Sequence, residues 1–325
     1  MMHEKIFAVC TLVLPPLLSS VISYAQDYPT KPVRVIVASS PGGGTDTTAR
    51  VVSPKLTELL GQQVVVENRP GAASMLGSEF VARAPADGYT LLVAPSPLVI
   101  VPALYRKMRF DPIKDFAPIS KLISVPQMLV SHPSLPAKTL QDLMALAKAK
   151  PGQLDYGAGV YGGHGHMSMA LFLMMTGLTI NHIPYKSGNA GIAETLSGEV
   201  PIMMGNVLVL LPHVRSSRLR AYGVSSAKRA SALADIPSIA EAGVPGYDSS
   251  QWFGLLAPVG TPREVVARLH RDTGRVLNDG EVKKRFALDG GETAWSASPE
   301  AFHDFLRADL AKWAKVVKAA GLKQQ

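Results

Sequence analysis

A run of small residues, Ser40-Pro41-Gly42-Gly43-Gly44-Thr45-Asp46, closes one apolar segment and opens another. Before it stands Val33-Arg34-Val35-Ile36-Val37-Ala38, whose β-branched residues mark a buried strand. After it, Thr47–Leu60 reads as a helix stopped by Gly61. A strand that ends in glycines and opens a helix makes an anion site. Glycine lets a ligand approach the backbone, and the first helical turn offers unpaired N–H groups at the positive end of the helix dipole. The turn lacks the Gly-Lys-Ser/Thr ending of a nucleotide P-loop, so no lysine is set for a β- or γ-phosphate. That favours a carboxylate. Asp46 or Thr45 is the expected helix cap, and the Asp46 carboxylate could instead order water or bind a ligand's amino or hydroxyl group. Pro54 predicts a kink, or a later helix start.

The same pattern returns further on. Leu154-Asp155-Tyr156 runs into Gly157-Ala158-Gly159-Val160-Tyr161-Gly162-Gly163, and a helix follows from about His164 to Thr176. Gly157, Gly159 and Gly162 have the spacing of a dinucleotide fingerprint. That fingerprint needs an acidic residue ~20 positions on, and the first one after Gly162 is Glu194. A glycine loop whose amides face some other anion fits better. His164 and His166, with His182 beyond them, fall short of the third ligand and fixed surroundings that a metal needs. Neither metal nor cofactor is expected. His164 reads as a hydrogen-bonding side chain at a helix start, or as a packing residue. Ser39, Ser40, Thr45, Ser74 and Ser96 adjoin strand ends, either as cleft donors or as turn formers. No Gly-x-Ser-x-Gly and no clustered carboxylate pair occurs, so the chain reads as a binder rather than an enzyme.

The elements that must position these turns follow an α/β order. Strands are expected at 33–38, 63–67, 89–94, 125–130, 154–156, 181–185, 198–204, 219–225 and 252–258. Helices are expected at 47–60, 75–83, 140–150, 164–176, 190–197, 262–277, 281–288 and 299–320, with Thr139 capping the third and 110–118 loop-like. Strand, turn and helix at this spacing mark parallel α/β sheets. Two such units are read: residues 26–124 with 246–325 as one lobe, and 125–245 as the other. Ligands of such sheets bind beyond the carboxyl ends of the strands, so two facing lobes would form a cleft with two anion-binding walls.

Residues 1–25 stand apart as a cleavable secretory signal. A weakly basic start leads into the apolar run Ile6–Ile22, and Ser23-Tyr24-Ala25 puts small residues where a signal peptidase reads. Pro15-Pro16 interrupt the run, which falls short of a clean membrane span. The mature chain would begin near Gln26 in an oxidising compartment. The single cysteine, Cys10, lies inside the signal, so disulfides, thiol catalysis and thiolate-bound metals are excluded from the mature chain. The net charge of +8 is scattered, with no basic run interleaved with aromatics, so no nucleic acid is expected as a partner.

A long series of ordered motifs resembles a known family. Among them are Tyr28-Pro29-x-Lys31-Pro32-Val33-Arg34, Pro41-Gly42-Gly43-x-x-Asp46-x-x-Ala49-Arg50 and Glu67-Asn68-Arg69-Pro70-Gly71-Ala72. Further along stand Ala86-Asp87-Gly88-Tyr89-Thr90-Leu91-Leu92, Asp115-Phe116-Ala117-Pro118, Pro184-Tyr185-Lys186, Gly198-Glu199-Val200, Ile236-Pro237-Ser238-Ile239-Ala240-Glu241-Ala242-Gly243 and Trp252-Phe253-Gly254-Leu255-x-Ala257-Pro258. From about Tyr28 to Gly321 the chain resembles the Bug-type periplasmic receptors of tripartite tricarboxylate transporters.

The resemblance implies a two-lobed α/β periplasmic-binding-protein fold of the Venus-flytrap, type II kind, with a ligand cleft between the lobes. It implies a monomeric, non-catalytic receptor, a small organic acid as ligand and the membrane subunits of a transporter as partners. The ligand would lie between Pro41–Asp46 and Gly159–His164, with Ala73 and Ser74 as a third wall. Its carboxylate would accept from the N–H groups of Gly43, Gly44 and Thr45. The second lobe would close over it through Val160, Tyr161 and Gly162. Ser96, Tyr185 and Glu194 complete the candidate set. Ser187 stands where the family usually has glycine, Glu194 where it has aspartate, and Ala158 and Tyr161 in a stretch usually rich in serine. Two alternatives remain from the residues: an α/β enzyme holding a nucleotide at Gly157–Gly162, and a receptor that feeds a signalling protein.

Overall fold

The computed structural model describes residues 28–322, apart from 72–73, 159–160, 186–187, 231–232 and 289. The expected signal, residues 1–25, lies outside the described residues. The first half runs β1 (Val33–Val37), α1 (Gly44–Leu60), β2 (Val64–Asn68), α2 (Met75–Ala82), β3 (Thr90–Pro95), α3 (Pro97–Leu104) and β4 (Phe116–Val125). Next come β5 (Gln127–Ser131), α4 (Leu140–Ala149), β6 (Asp155–Gly157), α5 (His164–Thr176), β7 (Asn181–Ile183), α6 (Gly188–Ser197), β8 (Ile202–Asn206), α7 (Val207–Arg215) and β9 (Arg220–Val224). The chain finishes with β10 (Gln251–Pro258), α8 (Arg263–Asn278), α9 (Gly280–Leu288), β11 (Glu292–Thr293) and α10 (Pro299–Ala319).

Two sheets result, in the orders β11-β4-β10-β3-β1-β2 and β7-β6-β8-β5-β9. In the first, β1 pairs parallel with β2 and β3, and β10 returns antiparallel between β3 and β4. In the second, β6 pairs parallel with β7 and β8, while β5 runs antiparallel to β8 and β9. β1 is buried on both faces apart from Arg34, as a central strand covered by helices on both sides must be, and its near-continuous β-branched sequence follows. Pro126 alone separates β4 from β5, so the chain changes sheet there, and it returns between β9 and β10.

Several boundaries depart from the sequence reading. Residues 116–118, expected as loop, open β4. Pro118, which lacks an N–H to give, sits opposite Leu256 next to a register shift, where a missing ladder bond is tolerated. α1 runs through Pro54 rather than starting after it. α3 and α7 were not foreseen. Both are short apolar runs, Pro97-Leu-Val-Ile-Val-Pro-Ala-Leu and Val207-Leu-Val-Leu-Leu-Pro-His-Val-Arg, in which proline and continuous hydrophobicity hide the helical period.

α8 packs on α1 and β4, whereas α10 packs on α3 and β4 of the first sheet and also on α5 of the second. The Trp252 indole on β10 fixes α10 by donating to Asp309 Oδ2 at 2.8 Å, and Lys312 pairs with the other carboxylate oxygen at 2.6 Å. Trp252 is 1% exposed and Asp309 5%, so losing the acceptor strands a buried N–H. Asp309→Ala is expected to cost about 2–3 kcal/mol in urea denaturation, and Asp309→Asn, which keeps an acceptor, clearly less.

Candidate functional site

The glycine turn after β1 begins its helix earlier than its sequence suggests. Gly42 takes φ +79°, a conformation that favours glycine, and Gly43 becomes the N-cap in place of Asp46 or Thr45. Asp46 therefore lies inside the first turn, where its carboxylate reaches back to accept from the Gly42 N–H at 2.9 Å. It also accepts from Arg50 Nε at 3.0 Å and from Asn68 Nδ2 at 2.9 Å. Asp46 is buried and faces its own loop, which it fastens to the ends of β1 and β2. Burial alone would raise its carboxyl, but the bonds from Arg50, Gly42 and Asn68 and the Arg50 charge outweigh it and hold the pKa below the usual carboxylate value. Pro41, Gly42, Gly43 and Gly44 remain exposed. Gly43 donates to Ser40 O at a long 3.4 Å, while the Gly44 and Thr45 amides stand in the first turn, where N–H groups have no intrahelical partner.

A cavity of about 340 Å³ opens on this turn. Gly42, Gly43, Gly44, Thr45 and Thr48 line it from the first sheet's side. Asn206 and Leu208 line it from the second sheet, at the junction of β8 and α7, where Asn206 Oδ1 caps α7 by accepting from the Leu208 N–H at 2.9 Å. Two helix N-termini, one from each sheet, thus share a cavity. Ile123, Val125, Leu208, Phe253 and Phe286 give it an apolar surface, and Gln251 and Arg285 add polar groups. Gly44 is required by close approach: an added Cβ would stand 2.9 Å from Phe253 Cζ. Sequence reasoning missed Asn206, Leu208, Gln251, Phe253, Arg285 and Phe286 as site residues. The one local signal is Asn206, a capping residue ahead of an apolar run.

The second glycine turn is built differently from the expectation. Gly159 and Val160 lie outside the described residues. The Gly162 N–H, expected to face a ligand, donates to His166 Nδ1 at 2.9 Å. Tyr161 meets the His166 ring at 5.0 Å between centroids with planes tilted by 40°, and it lines another cavity, of about 710 Å³, with Tyr156, His166 and His182. His166 and His182 stack at 3.9 Å with planes 10° apart, and among the described residues no group of three metal-binding side chains occurs.

Ser96, read as a cleft donor or a turn former, and His164, read as a hydrogen-bonding side chain at a helix start or a packing residue, bind each other. Ser96 is fully buried, and its hydroxyl stands 3.3 Å from His164 Nδ1, while His164 Nε2 donates to Ser249 O at 3.0 Å. Because Nε2 carries the proton, Nδ1 is the acceptor of the Ser96 hydroxyl. The imidazole ties the β3–α3 turn to the start of α5 and to the return segment before β10. Burial, aided by the Lys312 charge and only partly opposed by the Ser249 bond and by the Asp309 and Asp248 charges, pushes the imidazole pKa from 6.5 down to about 4. Trp313 completes its surroundings with an edge contact. In the unfolded chain this histidine takes up its proton near pH 6.5. Stability is therefore fully present above that value and falls as pH drops toward 4, by on the order of 3 kcal/mol. Urea denaturation between pH 7.5 and 4.5 is expected to show this slope, and His164→Asn is expected to flatten it while lowering stability at pH 7.5.

The remaining candidates scatter. Ser40 is exposed beside the turn, and Ser74 caps α2 at φ +75°, while Ala73 lies outside the described residues. Tyr185 lies over Gly157 and Gly191, where an added Cβ would come within 3.1 Å of its ring. Its phenol is raised by burial and then by the Glu194 and Asp155 charges, which places Glu194 near Tyr185, and neither is among the described walls of the 340 Å³ cavity.

Comparison with known proteins agrees with this architecture. Residues 48–322 match the family described as tripartite tricarboxylate transporter family receptor. Protein BugT of Bordetella pertussis (strain Tohama I) is 36% identical over 301 residues, covering 92% of each chain. The structure described as R. palustris Rpa4515 with adipate is 35% identical with a TM-score of 0.76, covering 92% of this chain and 100% of that one. The periplasmic binding protein BugD is 30% identical with a TM-score of 0.72 over the same shares. The fold is the two-lobed α/β fold of periplasmic binding proteins, and the chain belongs to the tripartite tricarboxylate transporter receptor family.

Proposed function

We propose that this chain is a monomeric periplasmic receptor for a small organic carboxylate, which it holds between its two sheets for delivery to the membrane subunits of a tripartite transporter. The observation that carries the reading is the meeting of two helix N-termini, α1 at Gly44 and α7 at Asn206, on one cavity of about 340 Å³. Each N-terminus favours negative charge, and the Gly44 and Thr45 amides can donate to a carboxylate oxygen. Such charge-assisted bonds are roughly twice as strong as neutral ones. The volume lies near the lower end for small-molecule sites, roughly 300–1,000 Å³. The apolar side chains around it suit a short carbon skeleton. The adipate of the R. palustris relative is a ligand of this chemistry. The family is one of receptors rather than enzymes, which leaves the nucleotide-enzyme alternative without support.

A thermal-shift screen of residues 26–325 against mono-, di- and tricarboxylates, aromatic carboxylates, amino acids and nucleotides tests the reading. Ligand at a hundredfold excess over Kd adds ~2.7 kcal/mol of stability. Stabilisation is expected from one or more carboxylates. Stabilisation by nucleotides alone would overturn the proposal.

A further inference from the structure

We infer that His166 is a positioning residue for the second wall of the cleft, its imidazole fixing the start of α5 as the Asp46 carboxylate fixes the start of α1. The inference rests on the carboxylate-receptor reading above. Its basis is a turn built twice. In the first, Gly42 has φ +79°, the N-cap Gly43 has φ −78° and ψ 166°, and the third helical residue, Asp46, accepts from the Gly42 N–H at 2.9 Å. In the second, Gly162 has φ +73°, the N-cap Gly163 has φ −68° and ψ 165°, and the third helical residue, His166, accepts from the Gly162 N–H at 2.9 Å. The two turns share glycine positions, dihedral angles and a side chain that reaches back from the same place. Only the acceptor differs.

An imidazole that accepts at Nδ1 is neutral and carries its proton at Nε2. The second wall therefore holds its turn without placing a negative charge beside an anionic ligand, and it needs no counterpart to Arg50. The ring is held by stacking on His182, with the tilted Tyr161 ring beside both. The turn it holds lies against β8, the strand that carries Asn206 to the cavity. Gly165 is pressed so closely on Met204 O, 2.6 Å from where a Cβ would be, that α5 must start over the middle of β8. Two residues on, Asn206 lines the cavity. The first turn of α5 is thus set on the strand that brings Asn206 to the cavity.

Two kinds of variant separate this role from simple packing. His166→Asn places Oδ1 where Nδ1 was, keeping the acceptor and losing the stack. His166→Phe keeps a ring in the stack and loses the acceptor, and His166→Leu, which is smaller, guards against a misfolded Phe variant. Affinity would be measured calorimetrically with a panel of adipate, malate, citrate and benzoate, and Gly162 amide exchange by NMR. The Asn variant is expected to bind within about threefold of wild type and to keep Gly162 protected, whereas Phe and Leu lose about tenfold or more and expose that amide. If affinity follows thermal stability across the three variants regardless of the acceptor, or if Phe and Leu bind as tightly as wild type, the inference is wrong. Failure of wild type to bind any of the panel would overturn the receptor reading itself, and this inference with it.

Discussion

Replacing Gly44 with valine is expected to abolish carboxylate binding while leaving a folded protein. Gly44 is the first residue of α1, and its N–H is one of two donors that stand free at the head of the cavity. Its missing side chain makes room for the Phe253 ring. Even a Cβ would stand 2.9 Å from Cζ and 3.4 Å from Cε2, and the valine methyls reach further. Phe253 is 4% exposed, and its backbone is paired in β10 with Pro95 of β3 and Ile123 of β4, so the strand itself does not yield. Either the ring turns into the cavity or the start of α1 moves back, and each displaces the Gly44 and Thr45 amides from a bound carboxylate. Hydrogen bonds to a charged group contribute about 1.5–3 kcal/mol each. Losing two should lower affinity by about a hundredfold or more. Overpacking of this kind costs roughly 1–3 kcal/mol, within the usual 5–15 kcal/mol of a domain. Gly43→Ala is the control. A Cβ there meets nothing closer than Ser40 O at 3.5 Å, and φ is −78°, so binding should stay near the wild-type value in calorimetry.

Removing the Asp46 carboxylate should have the largest effect on stability at the site. Asp46→Ala leaves the Gly42 N–H, the Arg50 guanidinium and one Asn68 amide proton without their shared acceptor. Asn68 also donates to Ser39 O and accepts from Arg50 Nη2, so the network joins the end of β1, the start of α1 and the end of β2. Loss of a reach-back cap costs about 1 kcal/mol and unpaired polar groups about 1–3 kcal/mol more, so a total of roughly 2–4 kcal/mol is expected in urea denaturation. Ligand affinity should fall with it, because the turn that presents Gly44 and Thr45 loosens. Asp46→Asn keeps an acceptor for Gly42 but loses the charge and turns its NH2 toward the Asn68 amide, which needs an acceptor there. The lowered carboxyl pKa sets the sign with pH. The ionic stabilisation is complete above the unfolded-chain pKa of 3.8 and disappears as pH falls through the lower folded value. The deficit of the Asn variant relative to wild type should therefore shrink only below pH 3.8.

What the sequence reveals well is local. Each strand–glycine–helix turn is legible because it depends on residue types that stand next to one another. α5 was expected at its observed bounds, and Thr139 caps α4 through a reciprocal pair with Asp142, as its type and position suggest. What is not legible depends on residues far apart in the chain. Ser96 follows a strand end and His164 opens a helix, and each has only a local reading, yet folding brings them face to face across 68 positions and buries both. The pairing of Gly44 with Phe253 joins segments that share no local pattern, and so does the arrival of Asn206 and Arg285 at the same cavity. Asp46 was legible as a helix-start carboxylate, but not as the group whose lone pairs Gly42, Arg50 and Asn68 fill.

The most direct test is a crystal structure of residues 26–325 with a carboxylate that stabilises the protein. A carboxylate oxygen is expected within about 2.7–3.1 Å of the Gly44 and Thr45 amides, with the rest of the ligand against Phe253 and Asn206. A ligand bound in the cavity beside Tyr161 and His182, or elsewhere, with the α1 turn unengaged, would contradict the account.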